Sequence, residues 1–84
     1  MAKSAALSKR KNSPEKAFGQ VLRSVRESRD LSQEELAARA GYHRTYIGQL
    51  ERGEKSPSLR TLFNLSSTLG VKSSVLIRRI ERSV

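Results

Sequence analysis

A single histidine, His43, and no cysteine leave this 84-residue chain without the donors of a metal site, and no set of carboxylates clusters beside His43 to replace them. Serine, glutamate and histidine all occur, but no spacing arranges them as nucleophile, base and orienting group. Glu34 and Glu35 stand at a helix start, where acidic side chains complement the helix dipole, rather than as general acid and base. We therefore expect no enzymatic activity, no metal and no cofactor. The informative side chains are polar hydrogen-bonding groups, Arg44, Thr45 and Gln49, grouped in one short stretch of a strongly basic chain. Seventeen Lys and Arg against eight Asp and Glu give a formal charge of +9 at pH 7. An excess of this size attracts polyanions; nucleic acid is the commonest, with anionic membrane surfaces and acidic proteins as competitors. No apolar run approaches the roughly 20 residues that cross a bilayer. Nor does an apolar segment follow Lys3, Lys9, Arg10 and Lys11 as in a signal peptide, and a cytoplasmic location without membrane attachment is expected.

Five helices and no strand are predicted to position these residues. Residues 1–12 carry four basic residues, no acid and no periodic hydrophobicity, which predicts a flexible basic arm, either a DNA-contacting arm or a solubilising tail. Residues 13–84 form the single domain. Ser13-Pro14-Glu15 has the residue types of a helix start, and Phe18, Val21, Leu22 and Val25 repeat at helical spacing, predicting a helix over Pro14 to Arg29. Ser32 and Glu35 form a capping box for a second helix, with Leu36, Ala37 and Ala40 inward and Gly41 as its stop. A third helix spans His43 to Arg52. Its Ile47 and Leu50 face the core, leaving Arg44, Thr45, Gly48 and Gln49 outward. Ser58 caps a fourth helix whose apolar face is Leu59, Leu62, Phe63, Leu65 and Leu69. A fifth, about residues 74–82, carries Val75, Leu76, Ile77 and Ile80.

Two short helices joined by a turn of about 3–4 residues containing glycine are the pattern of a helix-turn-helix, here framed by Gln33 and Arg52. The stretch from Leu31 to Val71 contains an S-Q-E-E-L-A opening, an A-G turn, a Y-I-x-x-L-E-R-G third helix and a P-S-L start to the fourth. In these features it resembles the helix-turn-helix domains of the Cro and phage-repressor type, the Xre-like family. With the first helix included, the resemblance runs from Pro14 to about Ile80. It implies an all-α, five-helix, lambda-repressor-like fold and a sequence-specific, DNA-binding transcriptional regulator.

Carried over position by position, the resemblance implies that His43, Arg44, Thr45 and Gln49 reach base edges in the major groove. Arg44 suits guanine O6 and N7, Thr45 a base edge or the thymine methyl, and Gln49 adenine N6 and N7. Gln33 takes the place where relatives grip a phosphate; Ser32, Tyr46, Arg52, Lys55, Ser56 and Ser58 lie along the same expected phosphate path and would set register rather than sequence choice. Arg26 and Glu51 occupy positions that relatives join as a partly buried ion pair. Two positions depart from the family pattern: Gly48 brings no side chain to an outward position, and His43 replaces the usual small N-cap.

The apolar set on the fifth helix covers more than one face, so Leu76, Ile77 and Ile80 are the expected contacts of a homodimer on a roughly palindromic operator. The expected partners are thus double-stranded DNA, a second copy and RNA polymerase, blocked at or contacted from the operator, in a bacterial or phage-encoded, nucleoid-associated setting. The single-domain architecture and the Arg44–Ile47 segment, R-T-Y-I, are especially similar to controller proteins of restriction–modification systems. Antitoxins and plasmid or phage repressors, some with a protein as main partner, share this architecture.

Overall fold

The computed structural model describes residues 12–84, so all but the last residue of the expected arm lies outside the described residues. Asn12, counted with that arm, donates from Nδ2 to the Ser83 carbonyl at 3.1 Å and is tied to the far end of the chain. Beyond it, the described residues form five α-helices and no strand.

Four of the five helices start where a side chain satisfies a free amide. Helix α1 (Pro14–Ser28) opens with Ser13 Oγ accepting the Lys16 amide at 3.1 Å and with proline in its first turn. It ends one residue short of the expected Arg29, and Asp30, at φ +57°, turns the chain away. Helix α2 (Gln33–Ala40) has the predicted capping box. Ser32 Oγ accepts the Glu35 amide at 3.0 Å, and Glu35 Oε1 accepts the Ser32 amide at 2.9 Å. The bond from the Ser32 backbone holds the Glu35 carboxyl below its usual range. At Gly41, φ +82° permits the amides of Gly41 and Tyr42 to converge on the Ala37 carbonyl, at 2.9 and 2.8 Å, and redirects the chain into α3 (Arg44–Glu51). Helix α4 (Leu59–Leu69) is capped by Ser58. Helix α5 (Ser73–Ser83) starts at Lys72 without a side-chain cap.

Packing follows from the apolar stripes these helices present. Helix α1 packs on α3 and α5, α2 on α3 and α4, and α4 on α5. Leu22, Leu36, Ile47, Leu50, Leu65 and Leu76 are fully buried where these pairs meet. Two expectations change. Leu59 and Phe63, assigned to the inward face of the fourth helix, are 67% and 54% exposed. At about 100° per residue they lie off the stripe of Leu62, Leu65 and Leu69 that fills the core. Leu76, expected at a dimer contact, is wholly enclosed within the chain, whereas Val75 and Ile77 beside it stay exposed and Ile80 is half-buried.

Gly19 controls how α1 meets α3. A methyl group on its Cα would lie 2.5 Å from the carbonyl oxygens of both Leu50 and Glu51. Backbone therefore packs directly on backbone at the end of α3, and no side chain fits between.

Candidate nucleic-acid interface

Three helices are joined at one carboxylate. Arg26 on α1 donates from Nε and Nη2 to the two oxygens of Glu51 at 2.6 and 2.9 Å, and from Nη1 to the Leu31 carbonyl at 2.8 Å. The two side chains are only 10% and 3% exposed, and bonding to Glu51 raises the already high Arg26 pKa. Gln33 on α2 adds a third donor, its Nε2 bonding Glu51 Oε1 at 2.9 Å. An amide oxygen in that position would face a carboxylate, so the orientation of the Gln33 amide is fixed. One Nε2 hydrogen serves Glu51; the other is available beside the N-terminus of α2, where amides and the helix dipole favour an anion. Gln33 and the Arg26–Glu51 pair, given separate roles by the sequence, are thus one hydrogen-bonded unit.

Helix α3 presents the polar set. Arg44 and Thr45 are exposed on its first turn and Gln49 is half-buried one turn later. His43 is the N-cap, its Nδ1 accepting the Thr45 amide at 3.1 Å, which leaves Nε2 as the ring's donor. Glu34 of α2 lies 3.8 Å from Arg44 Nε, with both side chains mostly exposed. A pair so long and so wet contributes about 0–1 kcal/mol at most, and leaves the guanidinium free to exchange partners.

The expected phosphate-path residues divide by their existing commitments. Ser32 Oγ accepts the Glu35 amide and keeps its own proton to donate. Ser58 Oγ accepts the Thr61 amide and lies 3.0 Å from Thr61 Oγ1, so its hydroxyl already has partners within the protein. The Tyr46 ring packs edge-on against Tyr42, with centroids 5.2 Å apart, and both hydroxyls lie 3.4 Å from Thr61 Oγ1. This hydroxyl cluster, at the N-terminus of α4, comes together only in the fold; the buried Thr61 at its centre carries no distinguishing mark in the sequence. Lys55 and Ser56 are exposed in the loop before α4. Arg52 is exposed but bonded to Glu54, from Nε at 2.6 Å and from Nη2 at 3.4 Å. Gly48, expected as an outward gap, is buried because the Arg52 guanidinium lies over it. Among the described residues no cluster of metal-ligating side chains occurs, and no helix is long and apolar enough to cross a membrane.

A basic protein that packs two short helices together, with hydrogen-bonding side chains on the outer face of the second, offers a surface suited to a polyanion. Known proteins with related chains fit this geometry. The control protein C.BamHI of Bacillus amyloliquefaciens is 43% identical over 61 residues, spanning 71% of this chain and 75% of that one. The crystal structure of the restriction–modification controller protein C.AhdI from Aeromonas hydrophila superposes with a TM-score of 0.71 at 39% identity, over 73% of this chain and 92% of that one. The clp gene regulator ClgR from Corynebacterium glutamicum reaches a TM-score of 0.84 at 27% identity, over 88% and 96%. Residues 22–76, which include α2, the turn and α3, match the helix-turn-helix family, and the chain belongs to it.

Proposed function

We propose that this protein is a sequence-specific, double-stranded-DNA-binding transcriptional regulator that acts as a homodimer on a roughly palindromic operator, in the manner of a restriction–modification controller protein. The observation that carries the reading is the outer face of α3. Arg44, Thr45 and Gln49 are displayed there, while Gln33 is held by Glu51 at the start of the preceding helix. Arg44, Thr45 and Gln49, with His43 at the helix start, read base edges. The second Gln33 N–H, the Ser32 hydroxyl, Lys55 and Ser56 hold phosphates and set the register. The charge of +9 supplies salt-sensitive affinity but no choice of sequence. The protein acts on the nucleoid in the cytoplasm, and changes transcription by excluding RNA polymerase from an overlapping promoter or contacting it from an adjacent one.

Replacing Arg44 by alanine tests this division of labour. Loss of a bidentate guanine contact is expected to cost about 1–3 kcal/mol of discrimination on cognate DNA. Binding to unrelated duplex should fall far less, measured by titration at several salt concentrations. An Arg44→Ala protein that keeps its full sequence preference excludes Arg44 as a base reader.

The second copy is supported by apolar surface that a monomer leaves in water. Leu59 and Phe63 lie one turn apart on α4, and Val75 and Ile77 are exposed on α5. Ile77 and Ile80 also line an apolar hollow with Phe18, Pro57 and Leu62. Patches of this kind mark association sites. Phe63→Glu and Ile77→Glu are expected to shift the solution mass from dimer to monomer while the circular dichroism stays unchanged. A mass that both variants leave at the wild-type value places the contact elsewhere.

A further inference from the structure

We propose that Arg52, at the C-terminal end of α3, is a second base-reading arginine alongside Arg44: it reads a purine edge across the space left by Gly48, and Glu54 aims it. The inference rests on the DNA-binding reading above and concerns a residue that family resemblance alone places on the phosphate path. Positions 44, 48 and 52 follow one another at helical spacing, with Thr45 and Gln49 beside them, so Arg52 shares the groove-facing side of α3. Gly48 sits in the middle of that side. A methyl there would be 3.0 Å from Arg52 Nη1 and 3.8 Å from Cζ. The guanidinium therefore lies back along the helix where a residue-48 side chain would otherwise stand, rather than reaching out towards the rim.

The bonds to Glu54 occupy one part of the guanidinium and leave the other open. Glu54 takes Nε and one Nη2 hydrogen, a single edge of the fork. The Nη1 group and the second Nη2 hydrogen are left, and these form the end-on pair whose spacing matches guanine O6 and N7. A residue meant only for phosphate gains nothing from a carboxylate beside it, because Glu54 repels the backbone that Arg52 would approach. A residue meant for a base edge gains a bias in orientation, modest for a pair this exposed, at the expense of some nonspecific attraction.

The test is selection from a random duplex pool with the full chain and its variants, followed by titration on the selected site and on unrelated duplex. Wild type is expected to enrich a guanine at one position per half-site that Arg52→Ala and Arg52→Lys both leave degenerate, with discrimination there falling roughly 5- to 150-fold. Arg44→Ala should alter a different position. Gly48→Ala, which has only the end of a flexible side chain to displace, should blur the Arg52 position and have no further effect in the Arg52→Ala background. Glu54→Gln should weaken preference at that position while nonspecific affinity rises, a pair of changes that a merely structural role does not produce. An Arg52→Ala protein that enriches the wild-type motif overturns the proposal, whether its affinity is uniformly lower, as for a phosphate contact, or unchanged. If Arg44→Ala alters the motif and Arg52→Ala does not, only this inference fails; a wild type that enriches no motif defeats the DNA-reading proposal with it.

Discussion

Replacing Glu51 by alanine is expected to destabilise the protein by about 3–5 kcal/mol, a large part of the stability of a domain this small. The side chain is 3% exposed, and its removal leaves the Arg26 guanidinium, 10% exposed, with the Leu31 carbonyl as its one remaining bonding partner among the described residues. Burying a charge without its counter-ion is what makes the loss large, more than the hydrogen bonds themselves. Gln33 loses its acceptor in the same substitution, so any protein that remains folded should bind every DNA sequence more weakly. Urea denaturation read by circular dichroism measures the first effect. Pairing Arg26→Met with Glu51→Leu should recover much of the stability, because neither charge is then stranded. A Glu51→Ala protein within 1 kcal/mol of wild type, taking about 1 kcal/mol as an ordinary single-site loss, would mean that the pair carries no such burden.

Alanine at Gly19 reverses a usual expectation. In an ordinary helix interior, Gly→Ala stabilises by roughly 0.5–1 kcal/mol, through helix propensity and a less disordered unfolded chain. Here the new methyl meets two backbone oxygens at 2.5 Å, and backbone cannot rotate aside as a side chain can. Helices α1 and α3 must separate, which also loosens the Arg26–Glu51 bonds that cross the same junction. The expected loss is about 1–3 kcal/mol, or a fall in Tm of several degrees to about 20 °C. A calorimetric scan checks it; a raised Tm would show that the junction accommodates a side chain.

The parts of this structure that were legible in the sequence are those written in local chemistry. The capping box at Ser32 and Glu35, the turn at Gly41, and the Ile47 and Leu50 stripe each depend on residues within about one or two helical turns of one another. Family resemblance extended this reach to the Arg26–Glu51 pair, 25 residues apart. What was not legible depends on the angle at which helices meet. Gly19 looks like any helical glycine until the carbonyls of Leu50 and Glu51 lie against it. Leu59 and Phe63 sit at the edge of the apolar set of α4, off the stripe of Leu62, Leu65 and Leu69, and the packing of α2 and α5 on that stripe leaves them in water. Leu76 and Ile77 are neighbours of similar hydrophobicity, yet one is buried and the other exposed. Around the site, Glu54 and Thr61 were missed for the same reason. Their importance lies in the partners the fold brings them, Arg52 and the two tyrosines.

The central claim is that two copies of α3 read a two-fold symmetric duplex, and selection of bound sequences from a random double-stranded pool by the wild-type protein tests it most directly. An inverted repeat is expected, with half-site centres about one helical turn, ~34 Å, apart. Binding to it should weaken steeply as salt rises, and a mismatch at a contacted base should cost about 1–3 kcal/mol. A pool that emerges with no enriched motif, bound through charge alone, would contradict it.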